Sequence, residues 1–236
     1  MQGAFLYFSQ SNIINMKPLI IGITGGSGSG KTSFIRQIKS AFKREEICII
    51  SQDDYYFPRA EQKKDAKGII NFDLPGSIDK KAFNQDLKKL IKGQKVERKE
   101  YVFNNPDAKA KSLFYYPAPI IIVEGLFVFH YKKIRKKLDL KVYLHAKENL
   151  KIIRRIKRDQ IERNYPIDDV LYRYEYHVMP AFEKYIKPYI DEADVIVNNN
   201  SLFEKGLQMV NGFLRNYLYE FQKEEGPFPY HFFEEE

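Results

Sequence analysis

Between a β-branched apolar run, PLIIGIT at 18–24, and a segment of helical periodicity, SFIRQIKSAFKR, stands Gly25-Gly26-Ser27-Gly28-Ser29-Gly30-Lys31-Thr32. The spacing is that of a phosphate-binding loop, G-x-x-x-x-G-K-[ST]. Its glycines can take backbone conformations closed to other residues, so successive amide N–H groups can turn inward on a β-phosphate. The helix N-terminus beneath adds partial positive charge. Lys31 is placed to reach the β and γ phosphates, and the Thr32 hydroxyl to take one Mg²⁺ position. A plain Gly/Ser-rich turn could carry the same letters, but strand, loop and helix in this order predict binding of ATP, or GTP, with Mg²⁺.

Phosphoryl transfer also needs carboxylates. Asp53 follows the apolar run 47–50, and Glu124 ends the run 120–123. In a parallel sheet both would open onto the ligand crevice. Asp53 there can accept the proton of an attacking hydroxyl or hold a metal-bound water, and Glu124 is the natural acidic partner for Mg²⁺. The alternatives are a capping carboxylate for Asp53 and a structural ion pair for Glu124; neighbouring Asp54 divides evenly between the two readings. In the basic run 154–158, Arg154, Arg155 and Arg158 fall within about one turn of each other on a helix. Ile152, Ile153 and Ile156 form the adjoining face, which predicts isoleucines packed inward and guanidinium groups over the phosphates. The second basic cluster, Lys132 to Lys137, reads as a solvated helix face.

The elements that must position these residues are legible as well. Five apolar runs, at 18–24, 47–50, 120–123, 140–145 and 193–198, are mostly separated by helical patterns. They predict an α/β fold, a five-stranded parallel sheet with helices on both faces. Helices are expected at 79–92, 147–163, 168–187 (bent or broken near Pro180) and 201–222; the alternation at 95–103 predicts a small β-hairpin flap. Residues 1–15 are expected to be an extension, 16–222 the folded domain with the flap at about 95–116 and a lid at about 151–180, and 223–236 a tail. The chain has 236 residues, 44% of them hydrophobic, and a net charge of +8, which favours anionic partners. A lone Cys48 predicts a buried thiol and a reducing, cytoplasmic setting. No stretch reaches the roughly 18 apolar residues of a membrane span. The four histidines have no metal-ligand spacing, and no nucleic-acid-binding signature occurs, so neither a zinc site nor a nucleic-acid partner is expected.

Taken together, GGSGSGKT, SQDDYY (51–56), NFDLPGSID (71–79), VEGLF (123–127), RRIKRDQIER (154–163), PAFEKYIKP (180–188) and ADVIV (193–197) resemble the uridine kinase family of P-loop kinases, in order and spacing. The resemblance covers about residues 17–198. It implies the P-loop NTPase fold with an Arg-rich helical lid, and ATP-dependent phosphorylation of the 5′-hydroxyl of a ribonucleoside, uridine or cytidine, in pyrimidine salvage. It implies Asp53 as the base, Asp73 on the ribose hydroxyls, Tyr56 and Phe72 as walls of the acceptor pocket, and Tyr101 stacked near the base. Arg155, Arg158 and Arg163 would contact acceptor and phosphates as the lid closes. Family members are commonly homo-oligomers, although nothing in this sequence identifies an interface.

The departures fall where the base would be read. Five residues after Tyr101 the family has a histidine that hydrogen-bonds the pyrimidine; here stands Pro106, with Ala108 where a basic residue is usual. The lid pattern E-R-G-R is Glu162-Arg163-Asn164-Tyr165, and a glutamine of the next helix is Arg173. Losing a hydrogen-bonding side chain should relax or redirect acceptor choice, and Arg173 could favour an acidic acceptor. Two alternatives to a nucleoside kinase follow: a P-loop kinase of another small hydroxylated metabolite, and a nucleotide-binding regulator without turnover. The presence of Asp53, Glu124 and Arg158 argues against the latter.

Overall fold

The computed structural model describes residues 17–103, 110–161 and 164–225. Its centre is a five-stranded parallel sheet in the order β2-β5-β1-β6-β7, made of β1 (Leu19–Thr24), β2 (Ile47–Ser51), β5 (Ile120–Glu124), β6 (Leu140–His145) and β7 (Val195–Asn198). A separate antiparallel hairpin pairs β3 (Val96–Lys99) with β4 (Ser112–Tyr115). The helices are α1 (Lys31–Ala41), α2 (Lys80–Ile91), the single turn α3 (Lys132–Arg135), α4 (Glu148–Ile161), α5 (Ile167–Arg173), α6 (Met179–Tyr185) and α7 (Glu204–Glu225).

The continuous apolar runs are explained by burial on two faces. Alternate side chains of one strand serve different cores: Ile20, Ile50, Ile121 and Val123 pack with Phe83 and Leu87 of α2 and Phe182 of α6. Ile21, Ile23, Ile120 and Ile122 pack with Phe34 and Ile38 of α1 and Leu207 and Leu214 of α7. Cys48 lies buried in the first core, where burial pushes its thiol up to about 12 and leaves it unreactive. β1 is the middle strand, paired with β5 on one side and β6 on the other, so the loop that leaves it emerges at the centre of the sheet edge.

The helix expected to be bent or broken near Pro180 is interrupted there, by a π turn at Tyr174–Val178, with Pro180 in the first turn of α6. On α4 the packing face is inverted. Lys151, Arg155 and Asp159, spaced four apart, are buried, whereas Ile153 is 47% and Ile161 81% exposed. This helix lies over the mouth of the phosphate loop rather than on the sheet, and its buried charges are paired, Lys151 with Glu148 and Arg155 with Asp159 and Asp73. The final helix runs three residues further than expected, to Glu225. Among the described residues no helix is long and apolar enough to cross a membrane.

Candidate active site

Register brings the acidic residues together. Ser51 of β2 sits beside Glu124 of β5, and its hydroxyl donates to Glu124 Oε1. After Ser51 the chain turns at once into a 3₁₀ turn, Gln52–Tyr55, capped by the Ser51 side chain accepting from the Asp53 amide. Asp53 is thereby swung out over the end of the sheet, beside Glu124 and Lys31. Asp54 points elsewhere: its carboxylate accepts from Tyr115 Oη at 2.7 Å and its carbonyl from Arg98 Nε at 2.7 Å, tying the flap hairpin to the end of β2. The two readings of Asp54 are thus separated by geometry, in favour of the structural one.

The phosphate loop is built for an anion. α1 starts without a side-chain cap and without an acidic residue in its first turn, so its first free amides have no protein acceptor. Gly28 has φ +80°, and a Cβ there would lie 2.3 Å from the Lys151 carbonyl oxygen, so only glycine allows α4 to close on the loop. Gly30, at φ +98°, is pressed by the Asn199 side chain, whose Nδ2 donates to Ser29 O at 2.8 Å. Lys31 Nζ donates to the carbonyls of Gly25 and Gly26, at 2.8 and 3.3 Å. Burial lowers the Lys31 ammonium from its usual value, with Glu124 and Asp53 pulling it back. Burial raises the Glu124 carboxyl, with repulsion from Asp53 adding to it and the Ser51 hydrogen bond and Lys31 opposing. Each charge is thus short of a counterion of a kind that bound phosphates and a divalent cation would supply. Among the described residues no three His, Cys, Asp or Glu side chains are grouped to hold a metal by themselves. That fits Mg²⁺, which keeps waters and substrate phosphates in its shell and takes only one or two carboxylates. Thr32, Glu124 and Asp53, expected from the sequence to hold the metal, line the same cavity.

One cavity of about 500 Å³ collects most of the residues singled out from sequence. At one end it is lined by Ser27, Gly28, Gly30, Lys31, Thr32, Asp53 and Glu124, with Arg154, Arg155 and Arg158 of α4 above. At the other end it is lined by Tyr56, Phe72, Asp73, Tyr165 and Arg173. Arg155 joins the two ends. Its Nη1 donates to Ser27 Oγ at 2.9 Å and lies 3.4 Å from Asp73 Oδ1, while its Nε pairs with Asp159 at 3.0 Å. Buried Asp159 also pairs with Arg158 at 2.9 Å, which holds both guanidinium groups over the loop. Tyr101 reaches the cavity only through its neighbours, its ring 5.2 Å from Tyr56 and 4.7 Å from Phe103. Gly25, Gly26 and Ser29 belong to the loop's turn rather than to the wall. Arg163, Pro106 and Ala108 lie outside the described residues. Asn164, where the resemblance implies glycine, takes φ +54°, a left-handed conformation that asparagine tolerates better than most residues.

Sequence reasoning missed three groups. Phe103 lines the cavity and meets Tyr56 edge-on at 5.1 Å; its position two residues after Tyr101, on the same face of an extended segment, was the available signal. Asp159 had no signal beyond its four-residue spacing from Arg155. The third is a clamp around Asp65. Its Oδ1 accepts the amides of Lys67 and Ile69, both at 2.9 Å, and closes a short hairpin. Its Oδ2 accepts Tyr172 Oη at 2.9 Å and faces His177 Nε2 at 2.7 Å. Partial burial would raise this carboxyl, but the hydrogen bonds, led by that of His177, hold it well below the usual range. The hairpin leads directly into Phe72 and Asp73, so the clamp fixes the end of the cavity that these residues line against α5 and the π turn.

Comparison with known proteins follows the same lines. The profile of the phosphoribulokinase / uridine kinase family matches residues 20–203. The chain belongs to this family. Among its relatives, the uridine kinase of Streptococcus uberis is 33% identical over 207 residues, 88% of this chain and 99% of that protein. The uridine kinase of Borrelia duttonii is 33% identical over 196 residues, 83% and 94% of the two chains. Solved structures share the fold. A possible uridine kinase from Bacillus stearothermophilus has a TM-score of 0.54 at 18% identity, covering 78% of this chain and 91% of that one. D-glycerate 3-kinase from Cryptococcus neoformans has a TM-score of 0.55 at 15% identity, covering 77% and 86%. As a member of the family, the chain is a phosphotransferase acting on an alcohol group.

For a kinase of this family the clamp makes a specific prediction. Asp65→Ala should free the hairpin and lower kcat/KM for the acceptor by up to about 10²-fold, since misplacement of a positioning group by about 1 Å has that effect. KM for ATP should stay near the wild-type value, because the partners of Asp65, namely Lys67, Ile69, Tyr172 and His177, all lie outside the phosphate loop and α1. Steady-state titration of each substrate in turn checks this, and an equal rise in both KM values would show that the clamp is not specific to the acceptor end.

Proposed function

We propose that the chain transfers the γ-phosphoryl group of ATP to the 5′-hydroxyl of a ribonucleoside, with uridine and cytidine as the reference acceptors, yielding ADP and the 5′-monophosphate. The observation that carries this reading is the single cavity, with phosphate loop and Asp53 at one end, Asp73 and aromatic walls at the other, and Arg155 between them. A carboxylate pairs well with the vicinal hydroxyls of a ribose, and Tyr56, Phe72 and Phe103 offer apolar faces to a planar ring.

Asp53 is the group that takes the proton of the attacking hydroxyl as its oxygen bonds to phosphorus. The bond from phosphorus to the bridging oxygen breaks, and ADP leaves. Lys31, Arg155 and Arg158 hold the phosphates and offset charge on the transferring group, acting from fixed positions and so with little reorganisation. Thr32 and Glu124, with Asp53 beside them, would hold Mg²⁺, which would supply charge neutralisation of the phosphates. The name uridine kinase carried by the relatives supports the acceptor class.

A second reading, the same transfer to another small hydroxylated metabolite, is favoured by Arg173, a guanidinium at the acceptor end that neutral uridine does not require. ADP release by purified protein with ATP and Mg²⁺, screened against nucleosides and hydroxylated metabolites, tests both. Turnover of uridine or cytidine supports the first; turnover of another acceptor alone replaces it with the second.

A further inference from the structure

Arg173 differs from the other guanidinium groups of the cavity. Arg155 faces Asp73 and Asp159, and Arg158 faces Asp159. Among the described residues Arg154 and Arg36 have no acidic partner, but Arg154 donates to the carbonyl of Asn199, the residue that abuts the phosphate loop, and Arg36 stands on α1 directly after that loop, so both lie at the nucleotide end. Arg173 stands at the opposite end and pairs with no carboxylate among the described residues.

The group is also held in place. Its Nη1 donates to Ile70 O at 2.8 Å, and its central carbon lies 5.1 Å from the centre of the Tyr165 ring. Ile70 belongs to the hairpin that Asp65 clamps onto His177 and Tyr172. Its Nε is buried with no hydrogen-bond partner. A guanidinium is permanently charged, donates through five N–H bonds and accepts none. Fixed against a wall of an aromatic chamber, it is preorganised for a planar anion that takes two parallel N–H bonds, the geometry of a carboxylate.

We propose that Arg173 is a specificity-determining residue and that the acceptor is a ribonucleoside whose ring carries a carboxylate. The proposal rests on the nucleoside reading above and narrows it. Asp73 takes the ribose, Tyr56, Phe72 and Phe103 enclose the ring, and Arg173 receives the carboxylate at the ring's far edge.

The test measures kcat/KM at saturating ATP and Mg²⁺ for uridine, uridine 6-carboxylate and uridine 5-carboxylate, with the wild-type protein, Arg173→Gln and Arg173→Lys. A carboxylated nucleoside is expected to exceed uridine by about tenfold or more in the wild type, the effect of a charge-assisted pair on discrimination. In Arg173→Gln that ratio should collapse toward one, and in Arg173→Lys part of it should survive. KM for ATP should stay within about twofold of wild type in both variants, which separates loss of selectivity from loss of fold. Preference for uridine over both carboxylates, or a preference unmoved by Arg173→Gln, overturns the role of Arg173 while leaving a nucleoside kinase. Absence of turnover with all three nucleosides defeats the nucleoside reading instead. Glycerate against glycerol in the same assay then decides whether Arg173 selects a carboxylate at all: a preference for glycerate that Arg173→Gln abolishes sustains that part, and indifference overturns it.

Discussion

Asp53→Asn is expected to reduce turnover by about 10²-fold or more with ATP affinity little changed, the loss that follows removal of a positioned general base. Asparagine keeps the shape of the side chain and can still receive a hydrogen bond, but it cannot take up the proton of the attacking hydroxyl. Geometry favours a clean result. Asp53 is exposed to the cavity at the start of a 3₁₀ turn whose cap is the Ser51 hydroxyl bonded to the Asp53 backbone, so the side chain is not needed to hold the turn. ATP binding measured by titration and kcat measured with the acceptor found in the metabolite screen check both halves. Near-normal turnover would move the role of base to another group, of which Glu124 is the nearest candidate.

Lys31→Ala has the second large effect, a fall in turnover of about 10² to 10³, since removal of one preorganised donor to developing charge has that magnitude. The structure adds an effect on nucleotide binding. Lys31 is the cation that opposes the upward shift of the buried Glu124 carboxyl, and Asp53 repels that carboxyl from the other side. Without the lysine, Glu124 is held more strongly in its protonated form and is a poorer partner for Mg²⁺. The expected signature is therefore a joint loss: lower kcat, and a higher Mg²⁺ concentration needed for half-maximal rate, most marked as pH falls. Equilibrium binding of the acceptor should be nearly unaffected, because Tyr56, Phe72 and Asp73 belong to other segments of the chain. Full activity of the variant would mean that the loop is not the site at which phosphoryl transfer occurs.

The sequence by itself determined whatever is local or periodic. A glycine-rich loop needs its own glycines and the lysine that follows, so Gly25 to Thr32 could be read without any tertiary information. Apolar runs exposed all five strands and, with them, the sheet; burial on two faces explains the continuous runs of the inner strands, whereas Ile196 of the edge strand β7 is exposed. The placement of Asp53 just past the end of β2 and of Glu124 at the end of β5 was legible, because strand ends of a parallel sheet open onto the ligand crevice. Tertiary structure decided where contacts cross between segments. Burial of Arg155 and Asp159 inverts the apolar-in rule on α4; the helix supplies one counterion, Asp159 four residues after Arg155, but the other, Asp73, comes from 82 residues away. Asp54 could not be told from Asp53 until the flap tyrosine Tyr115 was seen to claim it. Asp65 lies more than 100 residues from Tyr172 and His177 in sequence, and no periodic signal connects it to them. Arg173 was visible as a departure from the family, but whether a carboxylate neutralises it depends on which side chains fold against it. A charge's meaning is set by its counterion, and pairing across the fold is the property a linear pattern does not encode.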